Sequence, residues 1–175
     1  MLAPIKGRND TRFRRGRLIH RLLQTLPELA PESRATAARR FLASRAGDLP
    51  AADREEMASE TLCLIAHPDF APLFGPGSRA EAPIVGELDG GLVISGQIDR
   101  LLVGEREVLL VDYKTNRPAP TSPAATPEPY LRQMAAYRQA LGKIYPGKSI
   151  RSALVWTEGP RLMELPEALL ARYVS

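Results

Sequence analysis

Cysteine is nearly absent from this chain. Cys63 is the single one in 175 residues, so neither a disulfide framework nor a cysteine-ligated zinc or iron–sulfur centre can be assembled within it. Long apolar runs are missing too: no stretch approaches the roughly 18 residues that would suggest a membrane span. The opening Met1-Leu2-Ala3-Pro4-Ile5-Lys6 lacks the apolar core of a secretory signal. Histidine is limited to His20 and His67. Together these absences point to an intracellular, cytoplasmic protein that does not enter membranes.

The composition that remains, 44% hydrophobic and 25% charged in 19.2 kDa, suits one soluble domain with a full-sized core. Net charge is +4, and the excess is local. Arg12, Arg14, Arg15, Arg17 and Arg21 fall within ten residues. Such a cluster can neutralise backbone phosphates or form a solvated helix face balanced by Glu28 and Glu32; taken alone, it favours neither.

Asn9, Asp10 and Thr11 are each good N-caps, so a helix is predicted after them, with Leu18, Leu22 and Leu26 in one row and Ile19 and Leu23 in the next. Pro27 should end it. Pro31 is placed to open a second helix carrying Ala35, Ala38, Phe41 and Leu42, closed by Gly47. A third should run from about Ala52 to Ala66 with Met57, Leu64 and Ile65 inward, and His67 at its end, where a cation suits the dipole. The Pro68 to Gly77 segment reads as loop with room for one short turn.

Character changes near Arg79. Strands are predicted over 81–88, 92–100 and 108–114; the third is apolar on both faces over Val108 to Val111, as a covered central strand should be. The proline-rich stretch from Thr115 to Pro129 reads as a loop or mobile flap. A helix over Tyr130 to Ile144 with Leu131, Met134 and Leu141 inward, strands over 150–157 and 161–165, and a closing helix over 166–173 complete the order. Trp156 and Phe41 read as core. The fold class is α/β (α+β): a mixed sheet of about five strands flanked by helices. The whole of 1–175 reads as a single domain, with a helical portion over 1–78 and the sheet core over 79–175.

Two of those strands carry chemistry. If Glu105 and Arg106 form a two-residue loop, Gly104 faces Glu107, and the register then sets Asp99 opposite Asp112. Opposed residues of an antiparallel pair have Cβ atoms roughly 4.5–5.5 Å apart, a separation at which two carboxylates repel unless something positive lies between them. Lys114 is two residues past Asp112, so alternation puts it on the same face. A divalent cation and a lysine on one sheet face make a site for attacking a phosphodiester. The bland alternative is that Arg100, Arg117 or Lys114 simply pairs with these acids.

Gly96-Gln97-Ile98-Asp99-Arg100, then Asp112-Tyr113-Lys114-Thr115, then Gln133 and Tyr137 on the next helix resemble the PD-(D/E)XK nuclease superfamily. The early Gly16-Arg17-Leu18-Ile19-His20 is similar to the glycine-to-histidine helix motif of its RecB-type branch. Tyr130-Leu131-Arg132-Gln133-Met134-Ala135-Ala136-Tyr137 and Ala153-Leu154-Val155-Trp156-Thr157 resemble the C-terminal nuclease domain of AddA-type helicase–nucleases.

The resemblance spans about Arg15 to Trp156 and implies a restriction-endonuclease-like core. It implies a metal-dependent DNA nuclease, by resemblance an exonuclease, in double-strand break repair and recombination in the bacterial cytoplasm at the nucleoid. It further implies that Asp99, Asp112, His20 and the main-chain carbonyl of Tyr113 ligate Mg²⁺, with Mn²⁺ as an alternative because imidazole prefers softer ions. Lys114 would orient or help deprotonate the attacking water, Gln133 and Tyr137 would steady Lys114 and the substrate, and Glu81 would be an outer acid.

The implied partners are DNA as a single strand or unwound duplex, a helicase portion of the same protein, and an AddB-type second subunit. On that reading the chain is part of a longer helicase–nuclease. A catalytically silent nuclease-like module that binds DNA or docks a subunit, and a freestanding nuclease without a helicase, are the alternatives.

Gly142-Lys143-Ile144-Tyr145-Pro146-Gly147-Lys148-Ser149 fits the phosphate-loop pattern, but a true one follows a strand and opens a helix; the predicted order is the reverse, so no ATP site is expected. Tyr130 and Tyr137 could stack on bases, with helix packing an equal alternative for Tyr130.

Overall fold

In the computed structural model, which describes residues 6–173 with side chains from residue 12 onward, the row Leu18, Ile19, Leu22, Leu23 and Leu26 is buried. It forms the inward face of helix α1 (Lys6–Thr25) and the turn that follows it. Asn9, Asp10 and Thr11 lie within α1 and do not cap it; their side chains, and Met1 to Ile5, fall outside the described residues. Pro27 sits in a 3-10 turn, Leu26–Glu28, that separates α1 from α2 (Pro31–Arg45), where Pro31 takes the first helical turn. Helix α3 is Ala51–Ala66.

His67 is the last cap of α3, yet its Nδ1 accepts the Asp69 amide at 3.2 Å. It therefore also starts the next 3-10 turn, Pro68–Phe74. That turn is longer than the single short one expected.

The sheet runs in order β1 (Ser78–Glu87), β2 (Val93–Val103), β3 (Glu107–Lys114), β4 (Ser149–Trp156), β5 (Arg161–Glu164). Only β3 and β4 are parallel, and the link between them is helix α4 (Glu128–Ile144), as a parallel crossover requires. Helices α1, α2 and α3 cover the face carrying Val111, Tyr113, Ala153 and Val155. Helix α4 and the short α5 (Glu167–Leu170) cover the face carrying Leu110, Leu154 and Trp156. β3 is thus buried on both sides, which explains its unbroken apolar run.

Gly142 to Ser149 spans the last turn of α4, the connecting turn with Gly147 at φ 83°, and the first residue of β4. The proline-rich segment after β3 holds one 3-10 turn, Pro123–Ala125. It is pinned at both ends: Arg117 pairs with Glu56 and Glu60, and Thr126 is buried, its hydroxyl 3.6 Å from the Met163 sulfur. The segment read as a loop or mobile flap is a loop with these contacts to the body. Among the described residues no helix is long and apolar enough to cross a membrane.

Candidate active site

The site begins where strand pairing ends. The Gly104 amide donates to the Glu107 carbonyl at 2.9 Å, closing the expected two-residue loop. The β2–β3 pairs then run from Val103↔Val108 to Arg100↔Val111 and stop. One further step would set Asp99 against Asp112. There the Tyr113 amide finds the Asp99 side chain, with Oδ2 at 2.7 Å. The carboxylate stands in for the carbonyl a continuing ladder would have supplied.

Simple alternation does not carry Asp99 to its place. Gly96 faces Tyr137 of α4, and Ile98 packs in the α4-side core. Arg100, two residues on, instead reaches the Leu23 carbonyl of α1 at 2.9 Å. The faces therefore switch at Asp99. Across from it, the pairs Ala80↔Arg100 and Ala82↔Ile98 place Glu81. Glu81 has φ 50°, the one positive value at a non-glycine among the described residues. This left-handed backbone is uncommon and costly for an ordinary residue, and it marks the level at which both strands turn.

On β3, Asp112 and Lys114 share a face as predicted and form an ion pair. Asp112 is 4% exposed, and its Oδ2 makes no directed hydrogen bond. Burial, followed by the negative charge of Asp99, pushes its carboxyl up to about 6, against the opposing pull of Lys114 and His20. The Lys114 ammonium donates to Gln133 Oε1 at 3.3 Å and lies 4.0 Å from the centre of the Tyr130 ring. Gln133 Nε2 approaches the Tyr137 hydroxyl at 3.5 Å. The Tyr130 hydroxyl donates to Asn116 Oδ1 at 2.8 Å. The ring of Tyr130 is therefore engaged with Lys114, which favours its packing role.

His20 arrives from α1 because that helix comes close to the end of β3. A side chain at Gly16 would put its Cβ 3.1 Å from Thr115 Oγ1. His20 Nδ1 lies 3.3 Å from Asp99 Oδ1. Burial lowers its pKa, but the bond to Asp99 and the charges of Asp99 and Asp112 outweigh that and leave it raised. The Lys114 carbonyl accepts the Thr157 amide on the β4 side at 3.0 Å. Backbone alternation then aims the Tyr113 carbonyl at the β2 side, past the last pair and toward the gap.

A cleft of about 710 Å³ opens over this point. His20, Asp99, Tyr113 and Lys114 form its floor; Arg12, Phe13, Arg17 and Arg21 of α1 line one wall, and Asn116, Arg117 and Tyr130 another. Asp112 lies beneath, behind Lys114. Glu81 and Gln97 close one end. Burial, with the Asp99 charge next, raises the Glu81 pKa.

The arginine cluster divides. Arg14 pairs with Asp48 (2.6 Å), and Arg15 with Glu60 and Glu56, so the balancing acids are not Glu28 and Glu32. Sequence reasoning missed Glu60, whose side chain is 8% exposed between Arg15 and Arg117; only its burial distinguishes it.

The donor set suits a hard divalent cation. Two buried or half-buried carboxylates, an imidazole and a carbonyl are oxygen-rich ligands of the kind Mg²⁺ and Mn²⁺ accept. Asp112 Oδ2 is buried and has the Lys114 ammonium as its partner, so positive charge is already drawn to this oxygen. As the side chains stand, no group of three or more His, Cys, Asp or Glu among the described residues forms a finished metal cage. Lys114 occupies Asp112, and the Tyr113 amide occupies Asp99.

A mixed five-stranded sheet between helices, with acids and a lysine at the end of its central strands, defines a restriction-endonuclease-like core. A family model described as the PD-(D/E)XK nuclease superfamily matches residues 3–167, and the chain belongs to that superfamily. Its fold is similar to that of a protein from Eubacterium rectale named "Putative exonuclease", with TM-score 0.55 and 12% identity over 86% of this chain. The match covers 62% of that protein's chain, so this chain spans less than two thirds of its length, and at such identity the likeness speaks for the fold alone. A second structure, SSO0001, aligns at 17% identity over 89% of this chain and 71% of its own, with TM-score 0.38, too low to carry any argument. No curated protein matches the chain.

Proposed function

We propose that this PD-(D/E)XK chain is a Mg²⁺-dependent deoxyribonuclease acting as an exonuclease, with Mn²⁺ able to replace Mg²⁺. We further propose that it serves as the nuclease portion of an AddA-type ATP-dependent helicase–nuclease in double-strand break repair and recombination, beside an AddB-type subunit in the bacterial cytoplasm. The observation that carries the chemistry is the meeting of His20, Asp99, Asp112 and Lys114 where β2 and β3 part, under an arginine-lined cleft. The helicase context and the exonuclease mode rest on the resemblance of Gly16 to His20, Tyr130 to Tyr137 and Ala153 to Thr157 to that branch.

In this reading Asp99, Asp112, His20 and the Tyr113 carbonyl would hold the cation, whose chemistry when bound would be to activate water near neutral pH and offset charge on the scissile phosphate. Asp99 also fixes the end of β3 by holding the Tyr113 amide. Lys114 brings an ammonium to the cleft floor, where it faces the phosphate and offsets the negative charge that builds there. Gln133 and Tyr130 hold that ammonium in place, and Tyr137 supports Gln133. Arg12, Arg17 and Arg21 attract the DNA backbone.

The test is digestion of end-labelled linear single-stranded and duplex DNA with Mg²⁺ or Mn²⁺, comparing the parent with Asp112→Ala and Lys114→Ala. The parent is expected to degrade the substrate and both variants to lose nearly all activity. Equal cleavage by all three overturns the assignment. A parent that neither cuts nor gains thermal stability from either ion marks a silent binding module.

A further inference from the structure

The chemistry above uses the cleft floor and gives the α1 arginines a general pull on the DNA backbone, but it leaves Phe13 on the same wall unexplained. Phe13, Arg17, Arg21 and Gln24 follow one another at helical spacing, on the same side of α1 as His20, and all line the cleft. The opposite face of α1 is core. Phe13 is 69% exposed, the largest value among the exposed large hydrophobic residues. A phenylalanine standing in solvent between arginines gains nothing for the fold. The neighbouring arginines differ as well. Arg14 and Arg15 are neutralised by Asp48, Glu56 and Glu60, whereas among the described residues Arg12, Arg17 and Arg21 form no ion pair with a carboxylate. Among the described residues the Arg12 side chain donates to the Arg117 carbonyl at 3.3 Å, and the Arg21 side chain to Gln24 Oε1. Glu81 lies within the field of Arg21, but burial and the Asp99 charge keep its pKa raised against that arginine's pull.

We infer that this stripe is a track for a single DNA strand, with Phe13 as the platform for one unpaired base and Arg17 and Arg21 as contacts to the phosphates leading to His20. An aromatic ring beside a row of cations is the chemistry of single-strand binding: the ring takes any base face, and the guanidinium groups follow the backbone. A paired base offers its faces only to its neighbours in the stack, so duplex DNA has no use for Phe13. Seven residues separate Phe13 from His20, about 10 Å along the helix. The platform therefore stands beside the floor, where it can position the strand entering the site. That direction rests on the nuclease reading; binding to the stripe does not.

The test is fluorescence anisotropy in EDTA, with a labelled oligothymidylate and a mixed-sequence duplex as probes. Phe13→Ala is expected to weaken oligothymidylate binding about tenfold or more, change duplex binding less than about twofold, and leave the melting temperature unchanged. Phe13→Trp should restore binding. Arg17→Ala should reduce the slope of log K against log salt by about 0.7 for the single strand. Unchanged oligothymidylate binding in Phe13→Ala, or equal losses on both probes, overturns the inference. A parent that binds through Phe13 but never cuts sinks the nuclease reading alone. A parent that cuts while ignoring Phe13 sinks the track alone.

Discussion

Asp99 Oδ2 accepts the Tyr113 amide at 2.7 Å, one step past the last β2–β3 pair, Arg100↔Val111. The same carboxylate is thus a strand terminator and a candidate ligand, and two substitutions separate the roles. Asp99→Ala strands the amide of a residue that is 3% exposed and should cost about 1–3 kcal/mol. Asp99→Asn keeps an acceptor oxygen and should melt close to the parent. Neither should cleave DNA. Denaturant unfolding beside the nuclease assay checks this; equal destabilisation by Asn and Ala would show that the charge, not the acceptor, holds β3.

Gly96 matters for what stands above it. A Cβ there would lie 2.9 Å from Cζ of Tyr137, a ring whose hydroxyl meets Gln133, the partner of Lys114. Gly96→Ala should therefore push Tyr137 away, costing about 1–2 kcal/mol from overpacking and lowering cleavage. Removing the ring in Gly96→Ala/Tyr137→Ala should make the added methyl nearly neutral. A double-mutant cycle on stability reads the coupling, and additive losses would refute the contact.

The β2–β3 register was legible because a two-residue loop and local alternation fix it, and Asp112 with Lys114 followed from spacing alone. The helix faces were legible from their leucine rows. The orientation of Asp99 was not. It depends on a break in alternation matched by the left-handed Glu81 on another strand, and Glu81 carries no glycine or asparagine to announce that conformation. The partners of the arginine cluster were hidden for a similar reason. Glu60 lies 45 residues from Arg15 and 57 from Arg117, and nothing local in α3 marks it. Asn9 to Thr11 show the converse: good capping residues inside a helix that had already begun.

Glu60 supplies the third prediction. It pairs with Arg15 and, at 2.7 Å, with Arg117, joining α1 and α3 to the segment after β3. Glu60→Gln removes the buried anion that the two guanidinium groups share and leaves them only the more exposed Glu56 in common. Losing one partner of a buried pair costs about 3–5 kcal/mol. Here the arginine side chains are 21% and 38% exposed, so about 1–3 kcal/mol is expected. Arg117→Ala should cost less, because Glu60 keeps Arg15. Chemical denaturation of both single variants and the double variant tests this; a neutral Glu60→Gln would show the network to be ornamental.

Without divalent cations, stability should fall as pH rises across the neutral range. The Asp112 carboxyl titrates at about 6 in the fold against an ordinary 3.8. Between those values the native chain holds a proton that the unfolded chain has released, so raising pH favours unfolding. His20 acts in the same direction above that window. Its raised pKa gives stability that is present below its ordinary 6.5 and is lost as pH climbs through the folded value. Melting in chelator should therefore decline from about pH 4 to pH 8. Asp112→Asn should flatten the acidic part and His20→Gln the upper part. Mg²⁺ or Mn²⁺ requires the deprotonated ligands, so the gain in melting temperature on adding either ion should be larger at pH 8 than at pH 5. A metal effect independent of pH, or one that survives in Asp112→Asn, would place the cation away from this carboxylate.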